Sequence, residues 1–170
     1  MSAIRLPLAL NQAIKAPPDY VFCQEQPERY PLVDRFYRRQ GYKVKVAANE
    51  SLFVMYNTAA QIDRDTQSAS AEMMAAARLV PQSSGHFWLR NLLVAKEHRA
   101  KGVASALMQQ LLPLIAPQSC YCFALPHLEV FYKRLGFALQ PDHCPDDIQQ
   151  KYQQYRAKGR DWLLMGYKAI

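Results

Sequence analysis

The feature that most constrains this chain is a change of pattern between residues 87 and 112. The apolar segment Phe87 to Val94 predicts a β-strand, a short polar turn follows, and Val103 to Leu112 predicts a helix that opens after Gly102. The first amides of such a helix have no internal partner, and the helix dipole adds about half a positive charge there. The segment therefore predicts a site for a phosphate or pyrophosphate group.

The residues of the turn itself support an anion site. Gly102 has no Cβ and Ala104 is nearly as small, so that a phosphate can approach the backbone closely. Arg99 and Lys101 add positive charge beside it. The spacing is neither Gly-x-Gly-x-x-Gly nor a loop ending in Gly-Lys-Ser/Thr, which argues against a dinucleotide-binding fold and a P-loop.

Strands and helices alternate along the 170 residues, a length that suits one well-packed domain. The pattern predicts strands at 20–24, 51–57, 87–94, 119–125 and 162–168, and helices at 30–40, 103–112, 126–135 and 145–156. The alanine-rich segment 73–80 fits a helix or a strand. Pro113 is expected to kink or end the second helix. Residues 1–19 are predicted to be an irregular arm, and residues 61–71 a turn or mobile loop. Together these elements predict a three-layer α/β arrangement around a mixed sheet.

Composition narrows the function classes. No apolar run approaches the roughly 20 residues needed to cross a bilayer, and residues 1–10 lack a signal-peptide pattern, so a cytoplasmic location is expected by default. The net charge of +7 favours anionic ligands. Arg35, Arg38 and Arg39 share one face of the first predicted helix, and a solvated face is favoured over nucleic-acid contact because no nucleic-acid motif accompanies them.

The four cysteines do not predict a metal site. Cys120 and Cys122 alternate on a predicted strand and so point to one face. His143 and Cys144 have no second Cys or His pair at ligand spacing. Buried free thiols are therefore favoured, and no metal is expected.

A second motif, Phe131-Tyr132-Lys133-Arg134-Leu135-Gly136-Phe137, lies downstream of the Arg-x-x-Gly-x-Ala turn. The two motifs together resemble the GNAT superfamily of N-acetyltransferases, in which such a turn holds the pyrophosphate of acetyl-coenzyme A. The resemblance covers residues 87–139. It implies one domain over residues 1–170, a three-layer fold, and a mostly antiparallel mixed sheet of six to seven strands flanked by about four helices. It also implies that residues 73–80 form a strand, the one before the coenzyme-binding strand.

The resemblance implies an acetyl-CoA-dependent N-acetyltransferase that moves the acetyl group directly to a primary amine of a small molecule or peptide. It assigns Tyr132 as the general acid and the Val94 amide, at a strand bulge, as the oxyanion donor. The implied coenzyme-binding residues are Leu92, Leu93 and Val94 along the pantetheine arm and Arg99, Ala100, Lys101, Gly102, Val103, Ala104 and Ser105 at the pyrophosphate.

The amine must lose a proton, and for the general base that takes it the sequence departs from the family pattern. Trp88 stands where many relatives carry a glutamate. Glu50, Glu72 and His86 are candidates, and a water relay or an amine already neutral would also serve. Tyr37 lies in a local copy of the downstream motif and is predicted to be a packing residue.

Two alternative functions stay open. One is a non-catalytic, acetyl-CoA-binding regulatory protein, and the other is a basic acetyltransferase associated with nucleic acid. The acceptor and the oligomeric state are also open, a homodimer being one alternative.

Overall fold

The computed structural model describes residues 19–58 and 71–167. Its strands are β1 (Tyr20–Glu25), β2 (Ser51–Asn57), β3 (Glu72–Pro81), β4 (Phe87–Val94), β5 (Cys120–Ala124), β6 (Ala138–Leu139) and β7 (Leu163–Tyr167). Its α-helices are α1 (Tyr30–Arg39), α2 (Val103–Ile115), α3 (Glu129–Arg134) and α4 (Asp146–Ala157). Within these ranges, none of the helices has the length and hydropathy that a membrane span needs.

The strands form one sheet in the order β1-β2-β3-β4-β5-β7-β6. Every neighbouring pair is antiparallel except β4 and β5, which are parallel. A parallel pair requires a crossover connection, and α2 supplies it. This connection places the N-terminus of α2 after β4 and a short turn, as the sequence predicts. The mixed, mostly antiparallel sheet of the predicted fold class is confirmed.

The helices lie on the two faces of the sheet in pairs. On β2, Phe53 and Met55 pack in one cluster with α2, whereas Leu52 and Val54 pack in another with α1. This alternation follows from the two-residue period of a strand. Buried Tyr132 of α3 belongs to the α2 cluster, so α2 and α3 share a face.

Helix α4 lies on the same face as α1, further along the sheet. Its buried Ile148 packs against Trp88 of β4, together with Tyr121 and Leu164. Trp88 pairs with Val80 of β3. Val80 lies four residues after Ala76, so the two point to the same face of the sheet, and Ala76 belongs to the α1 cluster. The α1 cluster covers the β1–β3 part of this face and the α4 cluster covers the β5–β7 part.

Several predicted boundaries were wrong. Helix α2 continues through Pro113 to Ile115, and the Ala116 amide donates to the Leu112 carbonyl over 2.9 Å. Pro113 lies in the last turn, where its missing N–H costs a single hydrogen bond and the helix is about to end anyway. The third helix begins as a 3-10 turn at Pro126–Leu128 before α3. Residues 1–18 of the predicted arm and 61–70 of the predicted loop lie outside the described residues.

Candidate active site

Strand β4 departs from regular geometry at Asn91. Ala76 of β3 pairs with Leu93 and Arg78 pairs with Arg90, so one residue of β3 faces two residues of β4. Asn91 has a φ of 50°, in the left-handed region that few side chains adopt. The strand therefore carries a β-bulge, which bends it and changes where its main chain points.

The bulge coincides with the end of the pairing between β4 and β5. Their parallel pairing runs from Phe87 to Leu89 and goes no further along β4. The Ala95 amide donates to the Met74 carbonyl over 2.8 Å, which makes the Val94–Ala75 pair a non-hydrogen-bonded pair of the antiparallel ladder. The Val94 amide consequently points away from β3, towards the side on which β5 has separated.

A buried network holds the bulge in place. The Arg78 guanidinium donates to both carboxylate oxygens of Glu50 over 2.6 Å and, through Nη1, to the Asn91 side-chain oxygen over 2.8 Å. The Tyr37 hydroxyl donates to the Asn91 carbonyl over 2.8 Å. Glu50 and Arg78 are 7% and 4% exposed, so these charges are shielded from water. Burial raises the pKa of Tyr37, which keeps its hydroxyl protonated and able to donate.

This network argues against one of the candidate bases. Both carboxylate oxygens of Glu50 accept from Arg78 and the residue is 7% exposed, so its carboxylate is held as the counter-charge of a buried cation and is poorly suited to take a proton from a substrate amine. Glu72 is half-exposed, with its carboxylate 3.1 Å from Nε2 of His98. His86 packs its ring edge-on against Tyr121. Tyr37 is fully buried in the α1 cluster, which confirms its predicted packing role.

The predicted anion turn is open and bends as a phosphate site requires. Ala100 and Gly102 have φ values of 58° and 76°, and a Cβ at Gly102 would meet nothing within 4 Å. The first helical hydrogen bond joins the Ala106 amide to the Gly102 carbonyl. Within the described part of the chain, the amides of residues 100–105 donate to no backbone carbonyl. These unpaired amides and the helix dipole make the start of α2 electropositive, as the sequence-based prediction of an anion site requires.

The basic side chains of the turn fold back onto it. Arg99 Nε donates to the Val94 carbonyl over 3.2 Å, and Lys101 Nζ donates to the Glu97 carbonyl over 2.8 Å. Both contacts are exposed, so either side chain can leave its carbonyl for an arriving anion at little cost. The side chains thus supply mobile charge, while the amides supply fixed geometry.

Tyr132 lies on the α2–α3 face, in the same apolar cluster as Val103, with Leu92 and Val94 packed against it. Its ring meets Phe131 and Phe137 edge-on, with centroids 5.1 and 5.4 Å apart. Burial raises the pKa of Tyr132 well above its usual value, and the neighbouring Cys122 and Cys120 raise it further. Its hydroxyl bonds to no other described residue and is protonated. The structure therefore brings the predicted acid, the predicted arm-binding strand and the anion turn around one cluster.

Sequence reasoning missed the residues that shape the bulge, namely Glu50, Arg78 and Asn91. Glu50 and Arg78 are 28 residues apart, and no local pattern links them. Asn91 offers one weak signal, because asparagine tolerates the left-handed conformation better than most residues. Cys120 and Cys122 are confirmed as buried free thiols, whereas Cys23 and Cys144 are free but only partly buried, so the prediction was wrong for them. The described residues contain no group of ligands suited to a metal ion.

A family model described as an acetyltransferase (GNAT) domain matches residues 49–139, more than half of the chain. The matched range contains both β4 with its bulge and the anion turn. The chain belongs to the GNAT acetyltransferase family. Among curated proteins, none matches this sequence significantly.

Solved structures show the same fold as this GNAT protein. A histone acetyltransferase HPA2 and related acetyltransferase from Corynebacterium glutamicum has a TM-score of 0.59 at 13% identity, covering 89% of this chain and 97% of that one. A GNAT-family acetyltransferase from Staphylococcus aureus has a TM-score of 0.55 at 11% identity, covering 87% of this chain and 98% of that one. N-acetylglutamate synthase from Neisseria gonorrhoeae, complexed with coenzyme A and N-acetyl-glutamate, has 0.62 at 14%, covering 93% of this chain but 36% of that longer one.

The buried ion pair generates a stability prediction. Glu50→Gln leaves the Arg78 cation buried without a counter-charge, and we expect it to lower the free energy of unfolding by about 3 kcal/mol or more. Glu129→Gln removes the same charge from the exposed pair with Lys133 and is expected to cost about 0.5 kcal/mol or less. Denaturant unfolding of both variants measures the difference. Equal losses would contradict a structural role for Glu50.

The strained turn generates a second prediction. Ala100 adopts a left-handed conformation that costs a non-glycine residue roughly 1–2 kcal/mol, so Ala100→Gly should leave stability unchanged or raise it by up to about 1 kcal/mol. Ala116→Gly makes the same change at a φ of −56° and should destabilise by about 0.5–1 kcal/mol. Thermal unfolding compares the two. A loss at Ala100 as large as that at Ala116 would disprove the strain.

Proposed function

We propose that this GNAT protein is an acetyl-CoA-dependent N-acetyltransferase that moves the acetyl group directly to a primary amine. One observation carries the proposal. The main chain of β4 beyond the bulge has left its β5 partner and continues, through a 3-10 turn at Lys96–His98, into the turn of unpaired amides at the start of α2. A coenzyme with a peptide-like arm and a diphosphate needs both features, in this order.

The chain offers two kinds of contact to the coenzyme. The freed edge of β4, Leu92 to Val94, can pair with the pantetheine amides as an added strand would. The amides of residues 100–105 can hold the pyrophosphate, with Arg99 and Lys101 adding charge. Both sets are main-chain donors in a fixed backbone, so apolar side chains at these positions do not weaken the proposal.

Transfer requires that the amine nitrogen bond to the thioester carbon while the carbon–sulfur bond breaks. The Val94 amide is our candidate donor to the carbonyl oxygen as it becomes negative, since it points into the gap beside β5. Tyr132 is our candidate acid, giving its proton to the departing thiolate. The proton lost by the amine goes to solvent, from which Tyr132 recovers its own.

The acidities of donor and acceptor suit this step. Burial raises the pKa of Tyr132 and also raises the pKa of the neighbouring Cys120 thiol to about 12. A coenzyme thiolate that leaves into the same apolar surroundings experiences the same desolvation and becomes a stronger base than it is in water. The phenol and the thiolate are thereby brought closer in basicity, as proton transfer requires.

Binding of acetyl-CoA at the anion turn has a direct test. Acetyl-CoA at about 100 times its dissociation constant should stabilise the wild-type protein by about 2.7 kcal/mol. Ser105→Glu puts a negative charge at the start of α2, where it should weaken the binding of acetyl-CoA by about tenfold or more. Because acidic side chains stabilise a helix N-terminus, the unliganded variant should remain as stable as the wild type. Gln109→Glu, the same charge on the exposed side of α2, serves as the control. Equal effects from both variants would contradict a coenzyme site at this turn.

Tyr132→Phe tests the acid. We expect kcat in a thiol-release assay to fall by about 100-fold, with the acetyl-CoA-induced rise in Tm retained. Because the pKa of Tyr132 is raised, its ionisation should not reduce the wild-type rate at any pH below about 10. Tyr167→Phe removes a hydroxyl one ring further away, beyond Phe137, and should leave kcat unchanged. An unchanged kcat in Tyr132→Phe would remove its role, and acetyl-CoA binding without any turnover would favour a regulatory protein.

A further inference from the structure

The α1–α4 face of the sheet carries an arginine, Arg90, that forms no ion pair with any carboxylate of the described residues. The Arg90 guanidinium lies 4.1 Å from the centroid of the Trp88 ring, and its Nη2 donates to the Tyr155 hydroxyl over 3.3 Å. Its neighbour Arg78, by contrast, donates to both carboxylate oxygens of Glu50 and to Asn91.

Arg90 stands beside the opening in the sheet. It is the first residue of β4 beyond the pairing with β5 and the last before the bulge. It shares the facing of Trp88, whereas Leu89 and Tyr132 belong to the α2 side. On the α1–α4 face, the α1 cluster ends at β3 and Leu93, and the α4 cluster begins at Trp88, so Arg90 lies between the two.

The electrostatics of this spot favour an anion. Arg90 is only partly exposed, and burial lowers the pKa of its guanidinium, with Arg78 adding repulsion. Two guanidiniums and the single carboxylate of Glu50 leave a net positive charge. Such a cation, partly removed from water, is stabilised by an anion, and a carboxylate offers two oxygens that fit the fork of its N–H groups. The Trp88 ring and the Tyr155 hydroxyl hold the fork in one orientation.

We propose that Arg90 binds a carboxylate of the acceptor, so that the substrates are small amines that also carry a carboxylate group, with free amino acids as the main class. This inference rests on the proposed acetyl transfer. The carboxylate is held at Arg90 on the α1–α4 face, and the amine reaches the bulge from that side. The amine attacks in its neutral form, because an ammonium ion has no lone pair for the thioester carbon.

The test compares matched acceptors in a thiol-release assay with acetyl-CoA. Each of the common amino acids, together with β-alanine and γ-aminobutyrate, is paired with its own carboxamide, and kcat/KM is expressed per neutral amine. For the best acceptor, the wild-type protein should prefer the carboxylate over the carboxamide by about tenfold or more. Arg90→Gln should bring this ratio towards one through a rise in KM, and Arg90→Lys should retain part of it.

Arg160→Gln is the matched control, because Arg160 also lies over an aromatic ring, that of Trp162, but on the exposed segment after α4. It should leave the ratio unchanged. Carboxamides or polyamines used as well as carboxylates, or an Arg90→Gln ratio equal to that of the wild type, would overturn the inference. Turnover of no carboxylate-bearing amine, in a protein whose Tm still rises with acetyl-CoA, would overturn it as well.

Failure of the proposed function is distinguishable from failure of this inference. If acetyl-CoA neither raised the Tm nor released thiol with any amine, the acetyltransferase proposal would fall. If amines without a carboxylate were acetylated efficiently, acetyl transfer would stand and only the role of Arg90 would be lost.

Discussion

The ion pair between Glu50 and Arg78 is the interaction on which the site depends. A buried charge is tolerated only when a partner and hydrogen bonds replace the lost water, and here each group satisfies the other through two contacts of 2.6 Å. The remaining guanidinium contact reaches Asn91, whose left-handed conformation would otherwise be unfavourable. The buried ion pair thereby stabilises the left-handed backbone conformation of Asn91 in β4. That conformation turns the end of the strand into an unpaired edge.

The opening created by this bulge has two chemically different sides. On the α2–α3 side, Tyr132, Cys120 and Cys122 are buried with raised pKa values and are uncharged. On the α1–α4 side, Arg90 and Arg78 give a positive field. In our proposals the neutral side receives the departing thiolate and the positive side receives an acceptor carboxylate. One strand separates the two environments because its side chains alternate between faces.

The sequence was sufficient for features that local chemistry determines. The turn at Gly102, the strands around it and the helix after it follow from glycine, apolar spacing and the free amides of a helix start. The two Phe-Tyr motifs show the limit of such reasoning, because they are locally alike. Tyr37 donates to the backbone of the bulge from one face, and Tyr132 lies in the apolar cluster of the other. Only the order of elements along the chain, and not the motif, distinguished them.

Other features depend on contacts between residues far apart in the chain. The Glu50–Arg78 pair joins residues 28 positions apart. The role proposed for Arg90 depends on its contacts with Trp88 and Tyr155, and the contact with Tyr155 cannot be read from the sequence. Glu50 was a candidate base because the sequence shows that it is acidic but does not show that Arg78 is its partner. Strand β6 has two residues, too few for a periodic signal in the sequence. Pro113 was expected to kink or end α2, but it lies in the last turn of that helix, where a missing N–H has little effect.

The central claim is that acetyl-CoA lies along the edge of β4 freed by the bulge and ends at the amides of α2. Amide hydrogen exchange of the wild-type protein, with and without acetyl-CoA, tests it most directly because the claim concerns main-chain donors. We predict new protection at the Val94 amide, which points away from β3, and at residues 100–105 together. Protection confined to other segments, or none at either site when the coenzyme is bound, would contradict the account.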